Sequence, residues 1–143
     1  MQAFVTGGTG LLGGNLVRLL VQQGHRVRVL VRSRAKAAQL LAGLDVELVE
    51  GDMTNVADFA GELAGCDVLF HTAAYFREYY QPGDHWTTLK AINVDGTMAL
   101  LRAAEQQGVG KVIYASSNGV IGAEPGTLVG DERTPPDSYA TEN

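Results

Sequence analysis

Residues 6–13 read Thr6-Gly7-Gly8-Thr9-Gly10-Leu11-Leu12-Gly13, between an apolar strand pattern, Ala3-Phe4-Val5, and an apolar helix pattern carried by Leu16, Val17, Leu20 and Val21. A strand that turns through glycines into a helix has a specific physical use. Glycine takes positive φ at little cost, lets backbone N–H groups approach an anion, and allows the helix to lie close to the sheet. The first N–H groups of a helix have no intrahelical acceptor and sit at the positive end of its dipole, so this turn is a seat for the pyrophosphate of a dinucleotide. The glycines fit two registers, Gly8-x-Gly10-x-x-Gly13 and Thr6-Gly7-x-x-Gly10-x-x-Gly13, and spacing alone does not choose between them.

Outward from this turn the chain alternates. Strand patterns at Ala3–Thr6, Arg26–Val31, Val46–Glu50, Val68–Thr72 and Val112–Ser116 are separated by helix patterns at Leu11–Gln23, Ala35–Ala42, Val56–Leu63 and Leu89–Gln107. This alternation predicts an α/β fold, a doubly wound parallel sheet of the Rossmann type in the order 3-2-1-4-5. Its ligand crevice lies at the carboxyl ends of the strands, where the winding reverses. Val68-Leu69-Phe70 is continuously apolar and reads as central, whereas Val46–Val49 only partly alternates and reads as peripheral. Gly24 and Gly108 each follow a Gln-Gln pair where a helix should end, as left-handed C-terminal caps. The dinucleotide-binding domain is expected over residues 1–122. Residues 123–143, with Glu124-Pro125-Gly126 and Thr134-Pro135-Pro136, read as a polar loop without regular period.

Composition narrows the classes. With 143 residues, 45% of them hydrophobic, the chain can bury one core, and its size suggests one domain. A net charge of -5, with basic residues scattered except for Arg26, Arg28, Arg32, Arg34 and Lys36, argues against nucleic acid as a partner. No run approaches the roughly 18 apolar residues of a membrane span. The first strand pattern starts beside Met1, so no signal peptide is expected and the cytoplasm is the expected location. The single cysteine, Cys66, reads as a small buried apolar residue. No metal site is expected, because His25 and His85 lack partners at ligand spacing.

Four further stretches follow in order: Gly51-Asp52-Met53, His71-Thr72-Ala73-Ala74, Asn93-Val94-Asp95-Gly96-Thr97 and Tyr114-Ala115-Ser116-Ser117. With the Thr6-Gly7-x-x-Gly10-x-x-Gly13 register, they resemble the extended branch of the short-chain dehydrogenase/reductase superfamily over residues 2–122. That branch includes nucleotide-sugar epimerases and dehydratases, dihydroflavonol reductases and 3β-hydroxysteroid dehydrogenases. The resemblance implies further strands and a substrate-binding portion, which the residues after Gly122 are too few to supply, so the chain reads as the front part of a larger protein. It also implies a small-molecule substrate, a nucleotide-sugar or a ring-bearing ketone or alcohol, and pairing of subunits into a homodimer.

The cofactor expected from the residues themselves is NADP rather than NAD. A carboxylate at the end of the second strand would bond the ribose 2′-hydroxyl of NAD, but Arg32-Ser33-Arg34 stands there, and a guanidinium fork suits a 2′-phosphate. Arg32 is the expected contact, with Ser33 and Lys36 as helpers. Gly7, Thr9, Gly10, Leu11, Leu12 and Gly13 form the expected phosphate turn. The resemblance gives Asp52 and Met53 to the adenine, Thr72, Ala73 and Ala74 to the nicotinamide ribose, and to Asn93 an ordering role in the active site. It places Ser116 beside the cofactor and makes Ser117 the catalytic serine that would bond the reacting oxygen. The general acid and base of the family is a Tyr-x-x-x-Lys pair, its ammonium lowering the phenol pKa. Tyr139-Ala140-Thr141-Glu142-Asn143 ends in asparagine and does not supply that charge. Two functional classes are therefore open: an oxidoreductase, epimerase or dehydratase of the extended type, or a non-catalytic NADP-binding redox sensor lacking the pair. Tyr75, Phe76, Tyr79, Tyr80 and Trp86 line a substrate pocket or else cover the sheet or a partner subunit, and His71 reads as a packed, hydrogen-bonded histidine.

Overall fold

A computed structural model describes residues 1–76 and 82–117, together with 131 and 134. Five strands, β1 (Gln2–Thr6), β2 (Arg26–Val31), β3 (Glu47–Glu50), β4 (Val68–His71) and β5 (Lys111–Tyr114), form one sheet in the order β3-β2-β1-β4-β5. Every pairing is parallel, with Ala3 beside both Val27 and Val68, Val29 beside Leu48, and Leu69 beside Val112. The winding reverses between β1 and β4, so the crevice opens at the carboxyl ends of those two strands.

Strand alternation sends successive β1 side chains to opposite faces. Phe4 joins Leu30, Met53, Phe59, Leu63, Leu69 and Leu100 in one core, while Ala3 and Val5 join Val17, Leu20, Val29, Ala37 and Leu41 in the other. The second core is roofed by α1 (Leu11–Gln22) and α2 (Arg34–Leu40). Gly24 and Gly108 take φ of 76° and 73°, the left-handed geometry expected of helix ends. Cys66 is buried just ahead of β4, and burial pushes its thiol pKa up. Arg28 reaches across from β2 to Glu47 Oε2 at 2.8 Å and donates to the carbonyls of Glu62 and Ala64.

Two expected helices differ in detail. Val56–Leu63 forms two short 3₁₀ turns, Val56–Asp58 and Ala60–Leu63, instead of one α-helix. Phe59 at the junction is buried against Phe4, and the tight turns bring Val56, Phe59 and Leu63 together on the sheet. The long segment before β5 begins as α3 (Trp86–Leu89), widens into a π-helical stretch (Lys90–Gly96) and resumes as α4 (Thr97–Gln106). The i to i+5 bonding of a π-turn brings positions five apart onto one face, where Lys90 Nζ pairs with Asp95 at 2.8 Å. A Cβ at Gly96 would collide with the Met53 carbonyl, so glycine lets this stretch settle on the loop after β3. β5 ends at Tyr114, two residues short of expectation, although Ala115 N–H still donates to the His71 carbonyl at 2.9 Å. Among the described residues no helix is long and apolar enough to cross a membrane.

Candidate functional site

The turn after β1 is built around Gly7, whose φ of 71° belongs to the left-handed region. A Cβ there would stand 2.7 Å from Ala73 N and Thr72 C, both backbone atoms at the end of β4. Gly10 N–H donates to the Gly7 carbonyl at 2.9 Å and caps α1 without any side-chain acceptor. A Cβ on Gly13 would run into that same Gly7 carbonyl and lie 2.6 Å from Thr72 Oγ1. Gly7, Gly10 and Gly13 thus share one close approach of turn, helix and β4. Gly8 instead faces the core side chains of Val17 and Val29, so the register beginning at Gly7 is the one with backbone consequences.

Leu11, Leu12 and Gly13 open α1, and their N–H groups have no intrahelical acceptor. The first turn holds no acidic residue, and Leu11 and Leu12 are 80% and 60% exposed. The residues present therefore fit a dinucleotide pyrophosphate: a cradle that only hydrogen atoms leave open, N–H donors at the start of the helix, and no acidic residue in its first turn. Thr9 is exposed beside them. A groove of about 320 Å³ continues from Gly8, Thr9 and Gly10 past Asn15 and Arg18 to Leu40 and Leu41.

At the end of β2, Ser33 caps α2 by accepting from Lys36 N–H, and Arg34 leans on Glu50 at 3.5 Å. Exposed Arg32 has no hydrogen-bonded partner among the described residues. Asp52 lies within its electrostatic reach. The Asp52 carboxyl pKa is held below the ordinary carboxylate value mainly by the Thr54 backbone N–H at 2.9 Å, with help from the Thr54 hydroxyl and the Arg32 charge, against the effect of burial. Met53, next along, is buried in the core. Arg32 and Asp52 thus lie together on the β2 and β3 side of the crevice, and Met53 packs inward in one core with Leu69 from β4 on the other side.

On that other side, Thr72 Oγ1 donates to the Thr6 carbonyl at 2.7 Å, and Ala73 N–H donates to Thr6 Oγ1 at 3.3 Å. These bonds fix the exit of β4 against the turn after β1. His71 is buried, with Nδ1 2.7 Å from Thr6 Oγ1, Nε2 2.9 Å from Thr97 Oγ1, and its ring stacked on Tyr114 at 5.0 Å. Desolvation lowers its pKa to about 4, so it is a neutral brace between sheet and α4. Asn93 projects from the π-helical stretch and clamps the Tyr75 backbone from both sides, accepting from its N–H at 2.7 Å and donating to its carbonyl at 3.0 Å. Ala74 is exposed between these two anchored points. Ser116 and Ser117 follow the end of β5 and are exposed, on the strand adjacent to β4. Tyr79, Tyr80, Tyr139, Asn143 and the boundary after Gly122 lie outside the described residues. The sequence reading placed Tyr75 among the aromatics of a pocket or covered face but missed its partner: the phenol lies 2.6 Å from His85 Nδ1. Nothing in a ten-residue spacing marks such a pair.

A sequence model of the NAD dependent epimerase/dehydratase family matches residues 3–143. The chain belongs to this family. Within it, 3-beta-hydroxysteroid dehydrogenase of Mycolicibacterium neoaurum is 36% identical over 143 residues, covering 94% of this chain and 37% of that protein. Sterol demethylase protein B of Methylococcus capsulatus is 39% identical over 125 residues, covering 87% and 37%. The crystal structure of gox2253 superposes with a TM-score of 0.80 at 38% identity, covering 94% of this chain and 40% of that one. A short-chain dehydrogenase/reductase superfamily protein from Agrobacterium tumefaciens, solved with bound NAD, gives 0.78 at 28% identity, covering 96% and 40%. The chain thus spans well under half the length of the relatives it matches, and the extended short-chain fold expected from its motifs is the fold it has. These relatives lend no support to the alternative of a non-catalytic redox sensor.

Proposed function

We propose that this chain is the NADP-binding part of an oxidoreductase that transfers hydride at a carbonyl or alcohol carbon. The observation that carries the reading is the pairing of the Gly7-Gly10-Gly13 cradle with an exposed Arg32, without a hydrogen-bonded partner among the described residues, at the end of β2, where Arg32-Ser33-Arg34 follows in place of a carboxylate. Gly7, Thr9, Gly10, Leu11, Leu12 and Gly13 would hold the pyrophosphate, and Arg32 the 2′-phosphate through a fork of donors. Asp52 and Met53 would flank the adenine, and Thr72, Ala73 and Ala74 the nicotinamide ribose. Bound there, the dinucleotide supplies or accepts the hydride.

The chain's own part in the chemistry is placement. His71 stays neutral and keeps Thr6 and Thr97 in position, Asn93 fixes the backbone that leaves β4, and Ser116 and Ser117 leave the neighbouring strand at the same edge. Ser117 would bond the substrate oxygen and orient it. The proton donor or acceptor would be a tyrosine with a lysine four positions on, a pair that does not occur within residues 1–143. The favoured substrate is a small ring-bearing ketone or alcohol, in keeping with the exposed Phe76 and Trp86 and the steroid dehydrogenase likeness. A nucleotide-sugar is the second class, in keeping with the epimerase family.

The test uses the full-length gene product with NADPH deuterated at nicotinamide C4 and a panel of carbonyl probes: a 3-ketosteroid, dihydroquercetin and a 4-keto nucleotide-sugar. Deuterium appearing at the carbinol carbon of a product is the expected result. NADPH left unconsumed with every probe would overturn the proposal.

A further inference from the structure

Tyr75 is held at both ends by residues from another part of the chain. Its backbone is clamped by Asn93 at 2.7 and 3.0 Å, and its phenol oxygen lies 2.6 Å from His85 Nδ1, with the two rings 5.9 Å apart. Asn93 comes from the π-helical stretch and His85 from the residue just before α3. π-turns inside helices occur frequently at functional sites, and here the turn carries the side chain that makes the clamp.

The position of Tyr75 is fixed with respect to the cofactor cradle. It stands two residues past Ala73, whose backbone nitrogen is the atom a Gly7 Cβ would meet. It leaves β4, and Ser117 leaves β5; those strands are hydrogen-bonded neighbours in register, His71 beside Tyr114, about 4.8 Å apart as parallel strands are. Core packing does not account for the pair, because Tyr75 and His85 are only half-buried, and the residues after them, Phe76 and Trp86, are 60% and 59% exposed.

The chemistry of the pair is two-way. A phenol has one O–H donor and two acceptor lone pairs, and a neutral imidazole has one donor and one acceptor nitrogen. If Nδ1 donates to the phenol oxygen, the Tyr75 O–H is left to donate to a ligand. If the O–H donates to Nδ1, the phenol oxygen still accepts. The pair can therefore give a hydrogen bond to a carbonyl oxygen or take one from a hydroxyl, the two forms between which a hydride-transfer substrate alternates.

We propose that the Tyr75–His85 pair is a substrate-positioning contact that holds a hydroxyl or carbonyl oxygen of the substrate at the crevice edge shared with Ser117. This rests on the oxidoreductase reading above. The test compares the full-length protein with Tyr75→Phe and His85→Gln, using the most active carbonyl probe of the panel. Tyr75→Phe keeps the ring and the Asn93 clamp and removes only the phenol oxygen, while a glutamine at 85 can still pair with it. The expected result is a KM about tenfold higher for Tyr75→Phe, with kcat within threefold and the NADPH Kd within twofold of the parent, and a KM within threefold for His85→Gln. An unchanged KM in Tyr75→Phe, or a KM that rises only together with a weakened NADPH Kd, overturns the inference. The two failures are distinct: turnover with an unmoved KM sinks this inference alone, whereas no NADPH oxidation by the parent with any probe sinks the oxidoreductase reading and this inference with it.

Discussion

Replacing Gly7 with alanine separates the two reasons why the turn after β1 requires glycine. The first is conformational: at φ 71° a Cβ costs about 1–2 kcal/mol. The second is steric: the new Cβ would stand 2.7 Å from Ala73 N and Thr72 C, backbone atoms that no rotamer change can move aside. Overpacking of this kind adds about 1–3 kcal/mol. Gly24 is an internal control, since its φ is 76° and a Cβ there meets nothing within 4 Å. Gly24→Ala should therefore cost about 1–2 kcal/mol and Gly7→Ala about 2–5, against a total stability of about 5–15 kcal/mol for a domain. Urea unfolding of the two variants at equal m-value reads the difference directly. NADPH binding adds a second readout, because displacing the Gly7 carbonyl moves its bond to Gly10 N–H and with it the start of α1. Gly7→Ala should lose NADPH affinity at least tenfold and Gly24→Ala should keep it. Equal destabilisation by the two substitutions would refute the close-approach argument.

His71 makes stability fall in mild acid. Its pKa is about 4 when folded and 6.5 when unfolded, so the unfolded chain takes up the proton first. The contribution is fully present above pH 6.5 and is lost as pH falls toward 4, about 3 kcal/mol in all. His71→Leu should flatten that part of the stability profile measured by urea titration from pH 7 to pH 4, and a slope equal to the parent's would count against the brace. For Arg28, the carbonyls of Glu62 and Ala64 matter more than the carboxylate, because Glu47 is largely exposed and such pairs contribute little. Arg28→Met should cost about 1–3 kcal/mol and Glu47→Gln less than 1 in the same assay; the reverse order would show that the ion pair dominates.

The sheet order was legible because the apolar pattern that encodes it is periodic. Val68-Leu69-Phe70 is apolar without a break and lies inside the sheet, between β1 and β5, and the glycine turn needs a strand before it and a helix after it. The 3₁₀ turns at Val56–Leu63 were not legible, because Val56, Phe59 and Leu63 stand at spacings that an amphipathic helix would also show. What decides there is Phe59 stacking on Phe4, a contact across 55 positions of sequence. The same limit applies to the site. Gly7, Gly10, Gly13 and Arg32 are local signals at a strand's end. The His71 brace depends on Thr6 and Thr97, and the Tyr75 anchor on Asn93 and His85, partners that only the fold brings together.

In the function proposed above, the glycine cradle and Arg32 together make an NADP site. Calorimetric titration of the full-length protein with NADPH and NADH at one fixed salt concentration, repeated for Arg32→Asp, tests it most directly. NADPH should bind at least tenfold tighter than NADH, and Arg32→Asp should reverse the order while keeping NADH binding. Equal affinities for the two, unaltered by the substitution, would contradict it.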